Sequence, residues 1–123
     1  MFQYTAAFVT LASVDISKLL FFYTQLLMQE PQQHIPNVYA EFQLPSLRLA
    51  IFKPKATNQS EFNNAGKSEM SLCLEVSDLA AAIAHLTALG YPPPGKILTA
   101  SHGREIYAYD PDGNRLILHQ SAK

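Results

Sequence analysis

Arg48 and Arg115 each open a short apolar run, Arg48-Leu-Ala-Ile-Phe52 and Arg115-Leu-Ile-Leu-His119, and the two runs can be laid over one another. A guanidinium so placed can neutralise a carboxylate such as Glu41, Glu75 or Glu105. It can equally offer paired N–H donors to an anionic ligand. His34, His85, His102 and His119 could ligate a metal or move a proton, yet no HxH, HxxxH or HExxH spacing joins any of them. His119 shares a strand face with Ile117 and Arg115, and hydrogen bonding suits it better than metal ligation. His85 falls off the apolar stripe of its helix and reads as solvated. His102 adjoins Gly103 in a turn, and His34 ends a strand near Pro36. The single cysteine, Cys73, lies between Leu72 and Leu74 on the face of Ser71. It reads as a small buried apolar side chain rather than a nucleophile, since only His119 is conceivable as its base. Tyr39, Phe42, Phe52, Tyr107 and Tyr109 default to core or sheet. Phe8, Phe52 and Tyr107 or Tyr109 can also line an apolar pocket and stack on a ring. Asp110, Asp112 and Gly113 are turn residues rather than a cation site.

The elements that must position these residues follow from period and punctuation. A strand is predicted from about Tyr4 to Ser13. Asp15 is a helix N-cap, and behind it Ile16, Leu19, Leu20, Tyr23, Leu26 and Leu27 make one helical stripe. Three strands follow, near Gln29–His34, Val38–Leu44 and Arg48–Lys53, with turns at Ile35-Pro36-Asn37 and Pro45-Ser46. The polar stretch from Lys53 to Ser68 reads as a linker or mobile flap.

The pattern then restarts. A strand is predicted at Met70–Val76, with Asp78 as cap and Leu79, Ile83, Leu86 and Leu89 as stripe. Gly90 sits at C′, and Pro92-Pro93-Pro94 stops the helix. Strands Lys96–Ala100, Glu105–Tyr109 and Arg115–His119 complete it, with Asp110-Pro-Asp-Gly113 as a type I turn. The fold class is therefore α+β: two βαβββ modules, about 1–54 and 69–121 with a linker at 55–68, forming one domain whose curved mixed sheet closes over a cleft.

Composition bounds the function. The chain has 123 residues, 48% of them apolar and 15% charged, so it can bury a core. Nine Lys+Arg against ten Asp+Glu leave a net charge of −1, which argues against nucleic acid or an anionic membrane surface as partner. No apolar run approaches the roughly 20 residues that span a bilayer. Met-Phe-Gln-Tyr-Thr lacks the positive residues of a signal peptide, and one cysteine allows no internal disulfide. A cytoplasmic location is expected.

Asp110-Pro-Asp-Gly-Asn-Arg-Leu-Ile-Leu-His-Gln120 resembles the closing signature of the vicinal oxygen chelate superfamily, home of glyoxalase I, bleomycin-resistance proteins and extradiol dioxygenases. Val9-Thr-Leu-Ala-Ser-Val-Asp-Ile-Ser-Lys-Leu-Leu-Phe-Phe-Tyr23 is similar to that family's opening strand and helix. Leu74-Glu-Val-Ser-Asp78, with its Ala-rich helix and Leu89-Gly90, resembles the start of the second module. The resemblance covers nearly the whole chain and implies the two-module fold, most often as a homodimer. It also implies a divalent metal held by His, Glu or Gln from four equivalent strand positions, which here are Phe8, Ala50, Ser71 and Ile117. Only Ser71 brings a lone pair, on a weak hydroxyl, so a divalent cation is not expected there.

The function expected is metal-free binding of an aromatic or anionic small molecule in the cleft. The ligand would meet Phe8, Arg48, Ala50, Phe52, Ser71, Cys73, Tyr107, Arg115, Ile117 and His119, with no catalytic residue, metal or cofactor. Two alternatives stand beside it. One is a metal-dependent lyase, isomerase or dioxygenase with shifted ligands such as His119 and Glu41; the other is an interaction subunit whose own side chains fill the cleft.

Overall fold

The computed structural model describes residues 2–3, 5–63 and 68–122. Tyr4, the expected start of the first strand, and residues 64–67 of the polar stretch lie outside the described residues. The chain divides into two compact units, Met1–Asn63 and Asn64–Lys123.

In the first unit the elements run β1 (Val9–Ala12), α1 (Ile16–Leu27), β2 (Gln33–Ile35), β3 (Tyr39–Leu44) and β4 (Leu47–Phe52). The sheet order is β1-β4-β3-β2, with β1 and β4 parallel and the other pairs antiparallel. Asp15 caps α1 by accepting the Lys18 N–H at 3.3 Å. The helix buries Ile16, Leu19, Phe22 and Tyr23 over Ala40, Phe42, Leu49 and Ile51 of the sheet. Leu20, expected in the stripe, is half-buried, while Phe22 is buried. The buried arc is turned toward Phe22, which stands one helical turn from both Leu19 and Leu26. Asn37 and Ser46 take the positive φ that the two hairpin turns need. The polar stretch is not wholly irregular, since Ala56–Phe62 forms a 3-10 helix. Phe62 meets Phe52 edge-on there, at 5.4 Å between ring centroids.

In the second unit β5 (Leu72–Glu75), α2 (Leu79–Leu89), β6 (Leu98–Ala100), β7 (Gly103–Tyr109) and β8 (Arg115–Ser121) repeat that plan. The order is β5-β8-β7-β6, again with a parallel first pair. Asp78 caps α2 by accepting the Ala81 N–H, and Gly90, at φ 96°, closes the helix in the left-handed region. Gln120 on β8 adds a second cap, its Oε1 accepting the Leu79 N–H at 2.7 Å. Leu79 and Leu86 pack over Ile106, Ala108, Leu116 and Leu118. No helix among the described residues is long and apolar enough to cross a membrane.

The opening strands are shorter than expected. The ladders begin at Val9↔Leu49 and Leu72↔Leu116, although β4 and β8 themselves start earlier, at Leu47 and Arg115. In this way the fold is α+β with one four-stranded mixed sheet per unit.

Candidate functional site

Each sheet has one face under its helix and one face away from it, and strand alternation sorts the chemistry onto the second. On the first sheet the register sets Arg48 opposite Gln43, Ala50 between Thr10 and Glu41, and Phe52 between Ala12 and Tyr39. Glu41 is buried at 4% exposure, which a carboxylate tolerates only with partners. It has three. Tyr39 Oη donates to Oε1 at 2.8 Å, while Gln32 Nε2 and Arg48 donate to Oε2, the latter at 3.3 Å. The Tyr39 hydrogen bond, then those from Gln32 and Arg48, hold the carboxyl below its ordinary range against the opposing effect of burial. The Tyr39 phenol is pushed up, first by burial and then by the same carboxylate. Arg48 also lies over the ring of exposed Phe8, 5.0 Å from its centroid. Of the two roles open to Arg48, neutralising a glutamate is realised here.

On the second sheet Cys73 and Tyr107 flank Ile117, Tyr109 pairs with Arg115, and Glu75 and Glu105 flank His119. Arg115 makes no ion pair; among the described residues those are Arg48–Glu41 and His119–Glu75. Its guanidinium instead donates to Ser71 Oγ at 2.9 Å and to the Met70 carbonyl at 3.5 Å. Tyr107 and Tyr109 stand 39% and 36% exposed beside it. At the other end of β8, His119 Nδ1 lies 2.7 Å from Glu75 Oε1, and the Ser121 N–H and Oγ both donate to Glu75 Oε2. The His119 hydrogen bond, then those of Ser121, pull the Glu75 carboxyl down to about 2. The His102 ring stacks on that of His119, 5.2 Å between centroids.

Several expectations need correction. Cys73, on the edge strand β5, is exposed on the sheet face rather than buried. Partial desolvation, then Glu105 and Glu75, raise the thiol's pKa, so it is a poor nucleophile. His85 is half-buried rather than solvated. Phe52 is engaged by Phe62. His102, in the turn expected for it, and Glu75, one of the carboxylates expected to meet an arginine, gather around His119. The pairing of residues 75 and 105 across β8 was readable from alternation alone; the reach of His102 was not, since it precedes its strand. Phe8, Ala50 and Ile117 offer a cation no donor, and the Ser71 hydroxyl already accepts from Arg115, so this set does not fit a divalent metal. The Asp110 carboxylate is engaged within its own turn, accepting from the N–H groups of Asp112 and Asn114 and from Asn114 Nδ2, at 2.8–2.9 Å.

The family model described as "Glyoxalase/Bleomycin resistance protein/Dioxygenase superfamily" matches residues 5–118. No curated protein matches the chain. Among solved structures, the chain is similar to a glyoxalase-related enzyme from Fulvimarina pelagi, with TM-score 0.77 and 20% identity over 95% of this chain and 88% of that one. It is similar to a glyoxalase/bleomycin resistance protein from Catenulispora acidiphila, with TM-score 0.68 and 24% identity over 93% and 96%. A lactoylglutathione lyase from Agrobacterium tumefaciens gives TM-score 0.72 and 18% identity over 94% and 93%. At these identities the likenesses show a common fold.

Proposed function

The chain belongs to the Glyoxalase/Bleomycin resistance protein/Dioxygenase superfamily, and from that premise we propose that it binds a small molecule beside Arg115 on the open face of the second sheet, without a divalent metal. The observation that carries this reading is Arg115. It is a guanidinium steadied by Ser71 and Met70, without a carboxylate partner, beside the exposed rings of Tyr107 and Tyr109. Apolar surface supplies affinity and a fixed cation supplies orientation, so the ligand is flat and apolar with an anionic edge. The metal-dependent alternative is less well supported, because Glu41, one of its shifted ligands, is engaged by Tyr39, Gln32 and Arg48. The self-filled alternative sits poorly with the exposure of Tyr107, Tyr109 and Cys73.

The test uses 1-anilinonaphthalene-8-sulfonate, a flat aromatic anion, as probe. Arg115→Ala removes a charge-assisted hydrogen bond worth about 1.5–3 kcal/mol and should weaken probe binding roughly tenfold to hundredfold. Arg104→Ala, whose side chain reaches Gln120 instead, should leave it unchanged, as should prior dialysis against a chelator. An unaltered dissociation constant for Arg115→Ala, with melting curves alone affected, refutes the reading.

Self-association and a cytoplasmic location belong to the same proposal. Each sheet, taken by itself, ends in two edge strands, and Val14 and Phe21 are 64% and 67% exposed. Such surface is usually covered by a partner. Sedimentation at micromolar concentration should show a homodimer, and a monomer there removes that part.

A further inference from the structure

His119 leaves one atom unexplained. Its Nε2 is buried and has no hydrogen-bond partner, which is uncommon for a polar atom inside a protein. The other ring nitrogen explains which form the imidazole takes. A carboxylate oxygen accepts, so Nδ1 is the donor across the 2.7 Å contact with Glu75 Oε1. In the tautomer with its hydrogen on Nδ1, the lone pair lies at Nε2. A carboxylate holding one imidazole nitrogen so that the other points its lone pair outward is the arrangement that orients a metal-bound histidine.

Two further donor-bearing side chains stand close to His119. Ligand atoms of His102, Glu105 and His119 all lie within 4.8 Å of one another. Glu105 pairs directly with His119 across β7 and β8, and its carboxylate has no hydrogen bond or ion pair among the described residues. The His102 backbone is pinned, its carbonyl accepting the Ala122 N–H at 3.1 Å, whereas its ring is exposed and held only by stacking on His119. Gly103, immediately after it, keeps the space open: a Cβ at that position would come to 3.0 Å from His119 Nε2.

We infer that His102, Glu105 and His119 form a binding site for a divalent transition cation of the zinc class, with Glu75 as the positioning residue behind His119. Two imidazoles and a carboxylate suit a borderline cation and leave a fourth position for water or a ligand atom. Donors on one zinc stand about 2.0–2.2 Å from it, so the group must close by roughly an ångström. The exposed His102 ring can do that by turning about its own side-chain bonds. The site shares no residue with Phe8, Ala50, Ser71 and Ile117, and it stands whether or not Arg115 holds an anion.

Untagged full-length protein, stripped with chelator and titrated calorimetrically with zinc chloride, should take up about one ion per chain. The imidazole resonances of His102 and His119 should shift, and those of His34 and His85 should not. His102→Ala and Glu105→Gln should each weaken zinc binding by at least about a hundredfold with unchanged melting in the absence of metal. Glu75→Gln, acting through His119, should cost about tenfold to hundredfold, and His34→Ala nothing. Uptake well below one ion per chain overturns the site, as does undiminished affinity in His102→Ala and Glu105→Gln. Probe binding through Arg115 is read in a separate titration, so failure of either idea leaves the other tested on its own.

Discussion

The two sheets share a strand order and differ in how their open faces handle charge. On the first, Glu41 is buried and saturated by Tyr39, Gln32 and Arg48, so both charges are consumed internally. On the second, Glu75 is exposed, Arg115 leans on a hydroxyl and a carbonyl, and His119 Nε2 and Glu105 are unspent. A repeated backbone thus carries one face finished as structure and one with donors and acceptors left for something else. Backbone duties, such as capping by Asp15 and Asp78 or the parallel pairing of β1 and β5, are the same in both. Facing side chains are where the modules part.

The largest expected effect falls on the open face. Gly103 has φ 149° and lies against the Gln120 carbonyl, which a methyl group would strike. Gly103→Ala should cost about 3 kcal/mol in urea unfolding, while Gly95→Ala, with open space around it, should cost little. Equal costs would mean that the second sheet is not tightly closed around His119.

A somewhat smaller effect separates the two glutamates. Glu41→Ala leaves the Tyr39, Gln32 and Arg48 donors unanswered and should cost about 2 kcal/mol, whereas Glu75→Ala, on a side chain 57% exposed to solvent, should cost less than Glu41→Ala. Their acid dependence runs in one direction. Both carboxyls lie below their ordinary range in the folded chain, so the unfolded chain binds protons first. The stability they add is complete above the ordinary value of 4.5 and is lost as pH falls, for Glu75 toward about 2. The Glu75→Gln and Glu41→Gln variants should each flatten that acid limb of the stability curve. A limb unchanged in Glu41→Gln would erase the contrast between the faces.

The smallest effect concerns the edge of the first sheet. Phe62→Ala removes an edge-on partner of Phe52 and should cost about 1 kcal/mol. A loss of several times that would make the 3-10 helix part of the first core.

Much of the fold was legible because its signals are local. Asp15, Asp78 and Gly90 act within one helical turn, and the Asp110 turn closes on itself. Strand starts were less legible, since where β1 and β5 begin depends on pairing with the distant β4 and β8, which local residue types do not encode. Arg48 beside Glu41 was one of several pairings the sequence left open. Phe22 in place of Leu20, exposed Cys73, and His102 on His119 did not follow, because each depends on which neighbour covers a side chain. The 3-10 helix was not legible because its sequence is mostly polar and carries no apolar period, although Phe62 meets Phe52 of the sheet.

The parallel pairs carry a consequence for how the chain reaches this state. β3 and β4, or β7 and β8, are neighbours along the chain and can zip as hairpins, whereas Val9 must find Leu49, and Leu72 must find Leu116, across an intervening helix. Such distant pairings form late and slow the folding rate. Amide exchange should report the order, with protection arriving first in the hairpins and last in β1 and β5.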